Sequence, residues 1–179
     1  MRRRVRGSFG LLAGAASALA LSAWSAAAEA KTTIAGDLDY AAGIDSGGAR
    51  PGGGFGIRVG QQIHVPLVVF NPELGFTYHS FSKDSSPKVY RGIAGVRLGI
   101  GEILRPGLFA HVGLGRLDLA GLPDRSHTAF TYDAGVFIDF TALPLLDIGV
   151  HAAYNRVTES NSGPTFQFGT AGAHLALVF

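Results

Sequence analysis

Thr128-Ala129-Phe130-Thr131-Tyr132-Asp133-Ala134-Gly135-Val136-Phe137-Ile138-Asp139-Phe140 decides the fold. Taken with a period of two, it divides into one face of Phe130, Tyr132, Ala134, Val136, Ile138 and Phe140, and another that carries Asp133 and Asp139. Successive side chains of a strand point to opposite faces, so this stretch is a strand with one greasy and one ionic side. A helix would mix the two sets on every face.

The same alternation recurs along the chain. Eight strands are predicted at about 32–44, 53–63, 69–81, 89–100, 107–117, 128–140, 146–157 and 166–179, a length that suits tilted membrane strands. Short polar or Gly/Pro-containing stretches separate them. The greasy face includes Leu38, Ile57, Leu74, Leu98, Val112, Ile138, Val150 and Leu175, and no charge. The opposite face holds Asp37, Asp39, Arg58, Glu73, His79, Arg91, Arg97, His111, Asp133, Asp139, Asp147, His151 and His174, with Gln62, Thr77 and Asn155.

That division gives the direction of each face. A Lys or Arg against lipid at mid-bilayer costs about 2–4 kcal/mol, so the uncharged face suits hydrocarbon and the ionic face an enclosed interior. A soluble barrel of the lipocalin kind shows the same alternation with the opposite meaning. Two features favour the membrane. Past residue 30 the only lysines are Lys31, Lys83 and Lys88, too few for a solvated sheet. Aromatics gather near strand ends, with Tyr40, Phe55, Tyr78, Tyr90, Phe130 and Tyr154 at one side and Phe140 and Phe179 at the other. Such girdles mark the two interfaces of a bilayer. Lipid also demands that every backbone group be paired, which a closed barrel achieves and an open sheet does not.

Residues 1–30 read differently. Arg2, Arg3, Arg4 and Arg6 precede an apolar run from Leu11 to Trp24, and Ala28-Glu29-Ala30 has the small-x-small form of a cleavage site. This is the pattern of a secretory signal peptide, leaving residues 31–179 as one mature domain. The formal charge of +2 is thereby reinterpreted. Four of the fifteen basic residues and one of the thirteen acids fall in the leader, leaving eleven basic against twelve acidic residues. No nucleic-acid partner is expected of a slightly acidic mature chain. The absence of cysteine excludes disulfides, thiolate catalysis and a lipidated N-terminal Cys.

Connections supply the topology. The odd-numbered ones, at about 45–52, 82–88, 118–127 and 158–165, are predicted external; the even-numbered ones are shorter turns containing Pro66, Pro106 and Pro144. Pro72 is awkward inside a strand, because proline donates nothing to the ladder. Either the pairing opens near it or the third strand begins at Glu73.

At the C-terminus, His174-Leu175-Ala176-Leu177-Val178-Phe179 alternates up to a final phenylalanine. This resembles the closing strand of bacterial outer-membrane barrels. With the leader and the eight strands, residues 31–179 resemble the OmpA/OmpX-like small-barrel superfamily. The resemblance implies a closed eight-stranded up-and-down transmembrane barrel in the outer membrane, with Leu175, Leu177 and Phe179 as the signal read by the barrel-assembly machinery. It implies contact with outer-membrane lipid and lipopolysaccharide and a monomeric state, and it is silent about activity.

An eight-stranded barrel is just wide enough for its own side chains to fill it. The ionic residues are therefore expected to form a packed network, with Arg58, Arg91 and Arg97 against the six acids and the histidines supplying further positive charge or neutral donors. A gated narrow conduit is the alternative, and a lipid-modifying enzyme a more distant one. His79-Ser80 and Ser126-His127 hint at a hydrolase, but strand neighbours face opposite ways, so neither histidine serves its serine. No catalytic residue, cofactor or metal is expected; the four histidines lack the tight spacing of a metal motif. Gly52-Gly53-Gly54-Phe55-Gly56 opens a strand rather than a helix and is not a phosphate loop.

Overall fold

The computed structural model describes residues 30–44, 51–82, 87–118, 127–159 and 165–179. The expected leader and most of the four external connections lie outside the described residues. Eight strands follow in order: β1 (Lys31–Gly43), β2 (Pro51–Val65), β3 (Val68–Phe81), β4 (Lys88–Ile100), β5 (Leu104–Asp118), β6 (His127–Leu143), β7 (Leu146–Glu159) and β8 (Thr165–Val178). Each pairs antiparallel with the next, and β8 returns to β1, closing the barrel. Ile34 stands opposite Leu177 and Leu38 opposite Ala173 across the closing seam.

The period of two becomes two surfaces of a cylinder. Leu98, Val112 and Ile138 are 44, 54 and 48% exposed on the outside, whereas Arg97 and Asp139 are buried inside at 5 and 6%. Closure removes the sheet edges, so the outer apolar band meets its surroundings with paired backbone groups.

Two prolines resolve differently from one another. Pro72 sits within β3, opposite Val96 of β4. On its other side the β2–β3 ladder runs to Gly60–Glu73, lapses, and resumes at Ile63–Phe70 in the same register. The strand thus tolerates the missing donor by opening one ladder locally. Pro106, expected in a turn, lies in β5 opposite Ile138, while the ladder to β4 ends one residue away at Gly99–Gly107. The turn falls before it, at Gly101, whose φ of +112° suits glycine.

The hairpin joining β2 to β3 has Pro66 and Leu67 at its tip. Leu67 adopts a φ of +71° and is 85% exposed. Proline followed by a positive-φ residue is the pattern of a type II turn, in which the second position favours glycine.

Candidate functional site

The barrel interior is layered. At the end that bears the longer connections, Ala41, Phe81, Val89, Leu117, Ala129, Val157, Phe166 and Phe168 form a buried apolar cluster. Phe81 meets Phe166 and Phe168 edge-on, with ring centroids 5.1 and 5.2 Å apart. All these residues continue the inward parity of their strands.

Beneath this layer lies an acid held by two imidazoles. Asp39 accepts from His79 Nε2 at 3.1 Å and from His151 Nε2 at 2.7 Å. Among the described interior acids, it is the one with no arginine in ion-pair contact. The next layer is denser. Arg58 donates through Nε and Nη2 to the two oxygens of Asp37, at 2.8 and 2.7 Å, and through Nη1 to Glu73 at 2.7 Å. Bidentate guanidinium–carboxylate pairs are among the stronger charge-assisted contacts. His111 bridges Glu73 and Asp133, its Nε2 and Nδ1 at 2.7 and 2.6 Å from their oxygens. Arg91 reaches Asp133 at 3.2 Å and donates to Thr77 at 2.9 Å.

Deeper still, Arg97 pairs with Asp139 at 3.3 Å and lies 3.9 Å above the centre of the Phe137 ring. His174 Nε2 is 2.8 Å from the same Asp139 oxygen. Asp147 closes the end near the tight turns, accepting from Arg105, Gln62 and Thr141 at 3.2, 3.0 and 2.7 Å. No side chain in these interior ion pairs is more than 9% exposed. Cavities of about 40, 20 and 10 Å³ lie between them, each room for one to a few water molecules.

The structure therefore brings together all thirteen polar residues singled out from the sequence, in contacts that run the length of the interior. Sequence reasoning misses Arg105, because Pro106 reads as a turn residue and the strand predicted at 107–117 starts after it. Continuing the odd-numbered parity back from His111 through Phe109 would have placed Arg105 inside. His79 is buried in the barrel, and Ser80 lies on the opposite parity of β3. The pair Ser126-His127 falls outside the residues whose side chains are described. Leu175, Leu177 and Phe179 form an outward stripe at the closing seam. There Thr32 and Phe179 exchange backbone hydrogen bonds of 2.7 and 2.9 Å.

A closed antiparallel eight-stranded barrel with an apolar outer band and an ionic interior has the fold of the small outer-membrane β-barrels. Among solved structures it is similar to Neisserial surface protein A, NspA, with a TM-score of 0.69 at 18% identity over 83% of this chain and 97% of that one. It is also similar to Ail, the attachment invasion locus protein of Yersinia pestis, with a TM-score of 0.54 at 19% identity over 84% of this chain and 99% of that one. The outer membrane enzyme PagL shares the fold, with a TM-score of 0.56 at 11% identity over 78% of this chain and 97% of that one. No protein-family model matches the sequence, and no curated protein does.

Proposed function

We propose that the chain is a non-enzymatic barrel of the bacterial outer membrane, exported by its leader, with a plugged interior and a structural or surface-contact role. The observation that carries this reading is the packing of six interior acids against four arginines and four histidines, with voids of about 40, 20 and 10 Å³ among the described residues. Residues committed to one another in this way favour a packed plug over a pore lining or a substrate site. PagL shows that an enzyme is compatible with the fold, so the distinction rests on side chains. Among the described residues no serine hydroxyl bonds to an interior histidine.

The partners in this reading are outer-membrane lipid around the apolar band and lipopolysaccharide at the loop end. There Lys88 and Arg116 are exposed on the outer surface, suited to phosphate. The barrel-assembly machinery would read Leu175, Leu177 and Phe179, and the barrel would act as a monomer. Reconstitution into planar bilayers tests the plugged interior, with silence expected; discrete conductance steps would instead establish the narrow conduit. Mass spectrometry of lipid A from cells with and without the protein tests the non-enzymatic reading, with identical spectra expected.

A further inference from the structure

We propose that His151 and His174, together with Asp37, bind a divalent transition-metal ion inside the barrel. Nothing in the outer-membrane reading requires such a site; it rests on the orientation of two imidazole rings.

His151 Nε2 lies 2.7 Å from Asp39 Oδ1, and His174 Nε2 lies 2.8 Å from Asp139 Oδ1. Carboxylate oxygens only accept, so each Nε2 carries the N–H and donates it. Arg97 Nη2 also lies 3.4 Å from His174 Nε2, but the carboxylate contact, at 2.8 Å, is shorter and fixes the proton there. The other nitrogen of a neutral imidazole is then a bare lone pair. Those two nitrogens, His151 Nδ1 and His174 Nδ1, face each other at 3.3 Å. Two lone pairs at that distance repel unless a positive centre lies between or beside them.

A metal ion satisfies this geometry on four counts. Two nitrogens each about 2.0–2.1 Å from a tetrahedral ion stand about 3.3 Å apart, the separation observed. Asp37 supplies a third ligand: one of its carboxylate oxygens and one ring nitrogen of each histidine all lie within 4.8 Å of one another. Both of its oxygens accept from Arg58, and each keeps a further lone pair. The second shell is also in place, because metal-bound imidazoles characteristically donate their other N–H to a carboxylate, as these two do to Asp39 and Asp139. Finally, Asp37 and His151 line the cavity of about 40 Å³, which has room for the ion's remaining water ligand. Arg58 and Arg97 flank the cluster and oppose a cation. Asp39, with no arginine of its own, and Asp139 offset them. Imidazole nitrogens with one carboxylate suit zinc, cobalt or nickel rather than magnesium or calcium.

The test uses the mature barrel refolded from urea into detergent with Co²⁺, then freed of unbound metal by gel filtration. One cobalt per folded barrel is expected, with the visible absorption bands of low-coordinate cobalt. His151→Gln and His174→Gln should each lose the metal by tenfold or more in affinity, while His64→Gln, exposed on β2 and outside the cluster, should keep it. Heat-modifiable migration in SDS gels reports folding of every variant. Should a glutamine variant fail to fold, long-range ¹H–¹⁵N spectra of the unmutated protein decide the matter. Zn²⁺ is expected to shift Nδ1 of His151 and His174. A barrel that retains no cobalt, retention unchanged in the folded variants, or Zn²⁺ spectra without those shifts would overturn the site, a shared extra proton then accounting for the facing rings.

Discussion

Arg58 holds Asp37 by two parallel hydrogen bonds of 2.7 and 2.8 Å and uses its remaining nitrogen for Glu73 at 2.7 Å, so one guanidinium neutralises acids from two different strands. Removing it would strand two carboxylates in the barrel centre. Arg58→Ala is expected to destabilise the barrel by about 3–5 kcal/mol, the range for breaking a buried ion pair from one side. Arg116→Ala makes the contrast. Its partner Asp118 sits at 2.6 Å, but the pair is largely exposed, at 59 and 35%, so a loss of at most about 1 kcal/mol is expected. Urea unfolding in detergent, followed by heat-modifiable migration, compares the two; equal losses would mean that the interior network is no more than decoration.

The outer band is tested by charge placed at two depths. Val112 lies near the middle of β5 on the outer face, and Leu145 lies at the turn between β6 and β7; both are exposed. In lipid, Val112→Arg is expected to cost about 2–4 kcal/mol and Leu145→Arg about 0–1 kcal/mol. In a barrel surrounded by water both would be nearly neutral. Stabilities measured in lipid vesicles therefore separate a membrane barrel from a soluble one, and a silent Val112→Arg would sink the membrane assignment.

Much of this architecture is legible in the sequence because a strand's period is two and register cannot slip by one residue without turning charge into lipid. Asp133 and Asp139 in a greasy strand decide β6 without help from its neighbours. Partner choice is another matter. That Asp139 meets Arg97 and His174, rather than Arg58, depends on how eight strands are staggered around the axis, which no single strand encodes. The apolar layer of Phe81, Phe166 and Phe168 is not legible in the sequence for a related reason: these residues share the parity of the ionic ones, and only closure makes them converge. Arg105 hides behind a proline whose turn-like character outweighs the parity of its strand.

The β2–β3 turn carries a local conflict between sequence and backbone. Leu67 holds a φ of +71°, a conformation that costs a non-glycine residue about 1–2 kcal/mol, and at 85% exposure it gains little packing in return. Leu67→Gly relieves that strain against a smaller entropic loss in the unfolded chain, so a net gain of about 0.5–1 kcal/mol is expected. The opposite sign holds at Gly101, where φ is +112° and a Cβ would lie 2.4 Å from the Leu104 carbonyl oxygen. Gly101→Ala is expected to cost about 1–3 kcal/mol. Unfolding midpoints of the two variants should move in opposite directions; a shared direction would contradict the turn geometry.

Phe168 is fully buried where the apolar layer meets the ionic interior. Its ring stands 5.2 Å from that of His79, and the Arg91 guanidinium lies 5.6 Å from its centre. Truncation to alanine removes a large buried side chain, at a cost of about 3–5 kcal/mol, and also opens the route from the loop end to His79. Two consequences should therefore appear together in Phe168→Ala: reduced stability and faster modification of His79 by diethyl pyrocarbonate, read by peptide mass mapping. A surface truncation such as Leu38→Ala should leave His79 protected. If His79 reacts as readily in the unmutated barrel as in the Phe168 variant, the phenylalanine layer is not what seals this end, and the seal must lie elsewhere in the barrel.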